Sequence, residues 1–156
     1  MNITEDLARA YFLTNFRVFT PTGSFTVHVR RESTELAVLH ASHNARSSAF
    51  LTAYSPFSQP TDAETDRINQ NSLQTEVEGR WEYLLGEGVD PTGEWPAEPS
   101  LLILGIDLDE ALVLGQKFDQ LALLFATGDG SADLYTCNPE DQVCMNQLLD
   151  HIIRFQ

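Results

Sequence analysis

Positive charge is scarce in this chain of 156 residues: nine Lys and Arg stand against 23 Asp and Glu, a net −14 with a pI near 4.4. That excess argues against any overall attraction to nucleic acid or to an anionic membrane surface. Long hydrophobic runs are missing too. The longest apolar stretches, 101–104 and 121–126, fall far short of the ~20 residues that span a bilayer. The opening segment holds Glu5 and Asp6 and lacks the basic start and apolar middle of a signal peptide. Together these absences predict a soluble, cytosolic chain with no membrane partner. Only two cysteines occur, Cys137 and Cys144, and their spacing is neither a CxxC redox pair nor half of a zinc knuckle. Free thiols are expected, because a cytosolic domain of this length buries roughly 70% of its unfolded surface without a disulfide. No repeat, linker or charge block divides the sequence, so residues 1–156 read as one domain.

What is present is a succession of short elements. Ile3 to Leu13 reads as a helix capped by Thr4, with Leu7, Tyr11 and Phe12 at helical spacing. Phe16, Val18, Phe25, Val27 and Val29 alternate on either side of Pro21-Thr22-Gly23, which predicts a β-hairpin. Ser33 to His43 reads as a short helix, and Ala49 to Tyr54, a continuous apolar run ending at Pro56, as a buried strand. Thr61 and Glu64 form a capping box for a polar helix from Thr61 to Glu78. Trp81 to Leu85 suggests a short strand, and the glycines and prolines of 86–100 an irregular connection. Leu101 to Ile106 and Leu121 to Ala126 then read as strands either side of a helix capped by Asp107. That unit has the minimum size of a parallel crossover. Asp133 to Cys137 predicts a partner strand. A last helix, about 139–155, starts at Asn138-Pro139 with Val143, Cys144, Leu148, Ile152 and Ile153 as its apolar side. The whole is an α+β domain with a mixed sheet and helices packed on it.

Three phrases carry a further signal: Phe50-Leu51-Thr52-Ala53-Tyr54-Ser55-Pro56, Trp95-Pro96-Ala97-Glu98-Pro99-Ser100-Leu101 and Phe118-Asp119-Gln120-Leu121-Ala122. Their order, with a polar helix between the first two, resembles a bacterial family known only as domain-of-unknown-function family 3293. The resemblance spans about 10–136, and the family often has asparagine where Ser55 stands. It implies a compact bacterial domain and no particular activity.

If the strand at 49–54 runs antiparallel to those at 101–106 and 121–126, the three phrases meet at one end of the sheet. Ser55, Glu98, Ser100 and Gln120 would gather there. The helix that leaves from that end carries Glu64, Arg67, Asn71 and Gln74 along one polar side. Ser55, Arg67, Asn71, Glu98, Ser100 and Gln120 are therefore the candidate residues for binding a small polar ligand or a protein partner. Glu98 and Ser100 equally suit a plainer role, satisfying strand-end amides. A hydrolase or transferase would use Glu98 as base or Ser55 as nucleophile. However, no histidine stands near Ser55, and Ser-Pro is a turn dipeptide rather than a nucleophile elbow. The expectation is no catalytic residue.

Other motifs are weaker. His40 and His43 form an HxxH pair without a further ligand at metal spacing, and read as solvated helical histidines; no metal is predicted. Gly86-Glu87-Gly88 and Gly128-Asp129-Gly130 carry acids where a phosphate cradle needs bare amides or a lysine, so no cofactor is predicted. Trp81 and Trp95 suggest a lid over the end of the sheet.

Charge is unevenly placed. The first fifty residues hold five arginines and four acids, net +1, and the rest four basic groups and nineteen acids, net −15. Those acids read as a solubilising surface. Two alternatives stay open: an acidic face that mimics nucleic acid toward a basic partner, and a small-anion site at Arg30, Arg31 and Arg46.

Overall fold

A computed structural model describes residues 3–155, apart from the side chain of Phe57. The helices are α1 (Glu5–Leu13), α2 (Thr34–Ser42), α3 (Ala63–Val77), α4 (Leu108–Lys117) and α5 (Gln142–Arg154). The strands are β1 (Asn15–Thr20), β2 (Gly23–Val27), β3 (Ser47–Leu51), β4 (Glu82–Val89), β5 (Glu98–Leu104), β6 (Ala122–Thr127) and β7 (Ala132–Thr136). The strands form one sheet in the order β2-β1-β4-β5-β3-β6-β7, and the single α+β domain matches the reading of the sequence.

Its pairing is simpler than a mixed sheet. Every ladder among the described residues is antiparallel, because β3 inserts between β5 and β6 and pairs with both. The strands on either side of α4 do run in the same direction, as expected, but one strand apart. Three helix starts fall where the sequence puts them: Thr4, Ser33 and Asp107 each accept the backbone N–H three residues on. At α3 the cap moves one residue. Asp62, not Thr61, accepts the N–H of Thr65, and a carboxylate beside the helix N-terminus also gains from the dipole. Asn138 caps a single 3-10 turn, Pro139–Asp141, before α5 begins. The buried side of α5 is Met145, Leu149 and Ile152; Val143 and Cys144 face outward, contrary to the predicted stripe.

The predicted short strand at 81–85 is a full eight residues and continues through Gly86 and Gly88. Glycine is required at 86 rather than a breaker: a Cβ there would lie 2.5 Å from the carbonyl of Arg17 and 2.9 Å from the Phe50 ring. Phe50 in turn stacks edge-on against Phe16 at 5.2 Å.

Two cores lie on opposite faces. The first joins α1, α2 and α5 to the whole width of the sheet, through residues such as Ala8, Leu36, Phe16, Phe50, Leu102, Leu124 and Leu149. The second joins α3 and α4 to the middle strands, with Leu73, Val77, Ala111 and Leu114 over Leu51, Leu101, Ile103 and Leu123. No residue of β1 or β2 enters that second core. On that side Phe19 and Leu85 are 39% and 55% exposed.

Candidate functional site

Because β3 runs antiparallel to its two neighbours, the chain leaving it at Thr52 meets the starts of β5 and β6. Ser55 donates its hydroxyl to Glu98 Oε2 at 2.8 Å, and the Gln120 amide donates to the Tyr54 carbonyl at 3.1 Å. The predicted convergence of Ser55, Glu98 and Gln120 is therefore present. Ser55 adopts a left-handed backbone, φ 49°, which turns the chain into the 3-10 turn Pro56–Ser58.

What holds this cap in place comes largely from α3, and from residues outside the predicted set. Asp66 accepts the Ser55 N–H at 3.0 Å, and Gln70 accepts the Ala53 N–H at 2.8 Å. Both are buried on the face that continues with Leu73 and Val77. The spacing 66, 70, 73, 77 is one helical stripe whose first half is polar, a pattern legible in the sequence. Thr52 ties the same segment to the Pro99 carbonyl at 2.8 Å. On the opposite face of the sheet, Tyr11 at the end of α1 meets Ser58 Oγ at 3.2 Å.

The electrostatics follow from burial. The Glu98 carboxyl is pushed above its ordinary range, first by desolvation and then by the nearby Asp66 charge, with the Ser55 hydrogen bond working against both. The Tyr11 phenol is pushed up to about 12, chiefly by burial, and the Cys137 thiol likewise to about 12. Every buried side-chain polar atom among the described residues has a hydrogen-bond partner. The cap is thus a closed network.

The remaining candidates lie outside it. Ser100 is buried and donates to the Glu98 backbone carbonyl at 2.9 Å, the strand-end role. Arg67 is exposed and forms a bidentate pair with Glu64. Gln74 reaches Tyr83 and Glu78. Asn71 lies on the exposed side of α3 in an open groove of about 660 Å³ between α3 and the turn Lys117 to Asp119. Pro56, at the end of the cap, lines that groove together with Ile68, Ser72, Thr75 and Phe118. Of the predicted set, Ser55, Glu98 and Gln120 meet in the cap, Asn71 lines the groove beside it, and Ser100 and Arg67 belong to neither.

Several other expectations change. His40 is buried, with Nε2 2.7 Å from Ser48 Oγ and Nδ1 3.3 Å from the Gly128 carbonyl, so it is a core residue and not a solvated one. Desolvation lowers its pKa. His43 instead meets Glu82 at 3.1 Å, and no cluster of three potential metal ligands occurs among the described residues. Trp81 packs against the second core, but Trp95 is 57% exposed, so it forms no lid. Asp90 accepts the N–H of Thr92, Glu94 and Trp95 and thereby shapes the β4–β5 loop. Arg30 is committed to Asp133 and Asp150, which removes it from the anion site suggested by the sequence. Cys137 and Cys144 are free.

Fold and cap together define an α+β domain in which a seven-stranded antiparallel sheet is closed at one end by the chain leaving β3, an inner strand. Residues 51–123 match the family described as Protein of unknown function (DUF3293), which is the family the three phrases resemble. The match takes in the cap, α3, β4, β5 and α4, a narrower span than the 10–136 of the resemblance. Among curated proteins and among solved structures, nothing matches. No helix among the described residues is long and apolar enough to cross a membrane.

Proposed function

We propose that the chain is a non-catalytic binding domain of the bacterial cytoplasm that takes a small polar ligand in the groove between α3 and the turn after α4. The observation that carries this reading is the groove itself, about 660 Å³, walled by amide and hydroxyl groups of Asn71, Ser72 and Thr75 and by the apolar surface of Ile68 and Phe118. The groove is open to solvent, and the Glu76–Lys117 pair and Asp119 add charged groups to its lining, so it suits a polar ligand held at the surface rather than an enclosed apolar one. The cap supports the groove through Pro56, one of its lining residues: the preceding Ser55 is bonded to both Asp66 on α3 and Glu98 on β5.

A hydrolase using the cap has less support. Ser55 and Glu98 are within hydrogen-bond distance, yet the Ser55 N–H, the nearest amide for a developing oxyanion, is already given to Asp66. The acidic-mimic reading has less behind it, since several acids are already bound to Arg9, Arg17, Arg30, Arg67 and Lys117.

The test is thermal stabilisation by a panel of small polar metabolites. A ligand at roughly a hundredfold over its Kd stabilises by about 2.7 kcal/mol, a shift of several degrees for a domain of this size. The reading expects Ile68→Glu and Asn71→Ala to remove the shift and Glu98→Gln to keep it. A shift lost only in Glu98→Gln would move the site to the cap, and no shift from any panel member would remove the small-ligand reading.

A further inference from the structure

The two outer strands of the sheet are finished differently. On β7, the Gln142 side chain acts as a substitute strand: its Oε1 accepts the Thr136 N–H at 2.8 Å and its amide donates to the Leu134 carbonyl at 3.2 Å. Arg30 N–H takes the Ala132 carbonyl at 2.8 Å, and Ser131 bridges to Glu32. That edge is closed. At the other end, β2 itself pairs only with β1 among the described residues, its continuation at Arg30 and Glu32 being the segment that covers β7, and Gly23, Ser24 and Thr26 are exposed. The hairpin closes with Thr20 opposite Gly23 across a two-residue turn, so the alternation of an antiparallel ladder directs the N–H and C=O of Ser24 and Thr26 outward. Natural edges are usually blunted by charge, proline or a covering element. The segment Gly-Ser-Phe-Thr-Val has no charge and no proline.

We propose that β2 pairs with β2 of a second copy of this chain, antiparallel across a two-fold axis, so that the two sheets become one. Placing Phe25 opposite its counterpart sets Ser24 against the second copy's Thr26, and the four outward backbone groups of each copy find partners. The half-buried Phe25 then gains a second ring against its open side. An isologous contact of this kind closes on itself and does not propagate.

Charge permits a second copy to approach at this edge. β2 belongs to the nearly neutral first fifty residues, net +1, whereas the remainder is net −15. β4, the first strand of the acidic remainder, lies third from this edge. With ~4.8 Å between strands, the two copies of β4 would stand about 24 Å apart, beyond the ~8 Å over which physiological salt leaves charges visible.

The experiment is mass measurement by sedimentation at about 100 μM, with circular dichroism and melting as controls for folding. The wild type should have twice the 17.4 kDa chain mass. Thr26→Pro removes one outward N–H and no bond to β1, and proline is accepted on an open edge, so this variant should have the single-chain mass with an unchanged spectrum. Ser24→Lys sets two like charges near the axis and should weaken pairing at least tenfold at low salt, with recovery in high salt. This second variant decides the matter if the proline variant fails to fold. A single-chain mass for the wild type, or folded variants that stay paired, would overturn the proposal, and a wild type paired only with some other protein would do the same.

Discussion

The two halves of the sheet differ in how much of them is covered, and the difference is written in their sequences. β3, β5 and β6 carry helices on both faces, and their strands are continuous apolar runs such as Ala49–Phe50–Leu51 and Leu101–Leu102–Ile103–Leu104. β1 and β2 are covered on one face only, and they alternate: Phe16 and Val18 point into the first core while Arg17 and Phe19 face outward. A strand buried twice needs apolar residues at every position, one buried once at every second. β4 is the seam between the two regimes, with Leu84 in one core, Tyr83 against the other and Leu85 exposed.

The strongest way to break this division is at the seam. Gly86→Ala places a methyl where the Arg17 carbonyl and the Phe50 ring already stand. It should cost about 3 kcal/mol in urea unfolding, the upper end of overpacking; a loss under about 1 kcal/mol would mean that the seam yields. The closed edge comes next. Gln142→Ala frees the Leu134 carbonyl and leaves the buried Thr136 without its acceptor, for a loss of about 2 kcal/mol. At the capped end, Ser55→Ala removes one hydrogen bond and should cost about 1 kcal/mol, with the Glu98 carboxyl moving still higher because its only lowering influence is gone.

Acid titration sharpens the same contrast, because the half-buried Glu98 and the buried His40 act in opposite senses. Glu98 has its folded pKa raised above 4.5, so the folded chain holds that proton more firmly than the unfolded one. Its contribution is present at low pH and is lost as the pH rises through the folded pKa. His40 has its folded pKa lowered below 6.5, so the unfolded chain binds the proton more readily, and stability falls as the pH drops below 6.5 toward the folded pKa. Glu98→Gln should therefore flatten the stability profile above pH 4.5 while the His40 limb stays. An unchanged profile would contradict the assignment to Glu98. The smallest effect belongs to Arg67→Ala, whose exposed pair with Glu64 should leave the melting temperature unmoved.

Local chemistry makes much of the fold legible: the caps at Thr4 and Asp107, the helix start at Ser33 and the hairpin alternation depend on neighbours in sequence. Long-range pairing was not legible. Nothing near Leu101 or Leu121 signals that β3, from fifty or more residues earlier, inserts between their strands. Gly86 read as a breaker because the Arg17 and Phe50 groups that demand a glycine lie elsewhere in the chain. His40 and His43 look alike in sequence, and only the fold puts one against Ser48 and the other in solvent beside Glu82. The site followed the same rule. Strand direction leads to Ser55, Glu98 and Gln120, while Asp66 and Gln70 escape because the polar side 64, 67, 71, 74 points to the site in sequence and the stripe 66, 70, 73, 77 faces it in the fold.

Residue-resolved amide exchange across a dilution series tests the central contrast most directly. The account predicts that Thr136 is protected at every concentration, being bonded within the chain, and that Ser24 and Thr26 are protected when concentrated and lose protection on dilution. Equal protection of both edges at all concentrations, or fast exchange of Ser24 and Thr26 even in concentrated solution, would contradict it.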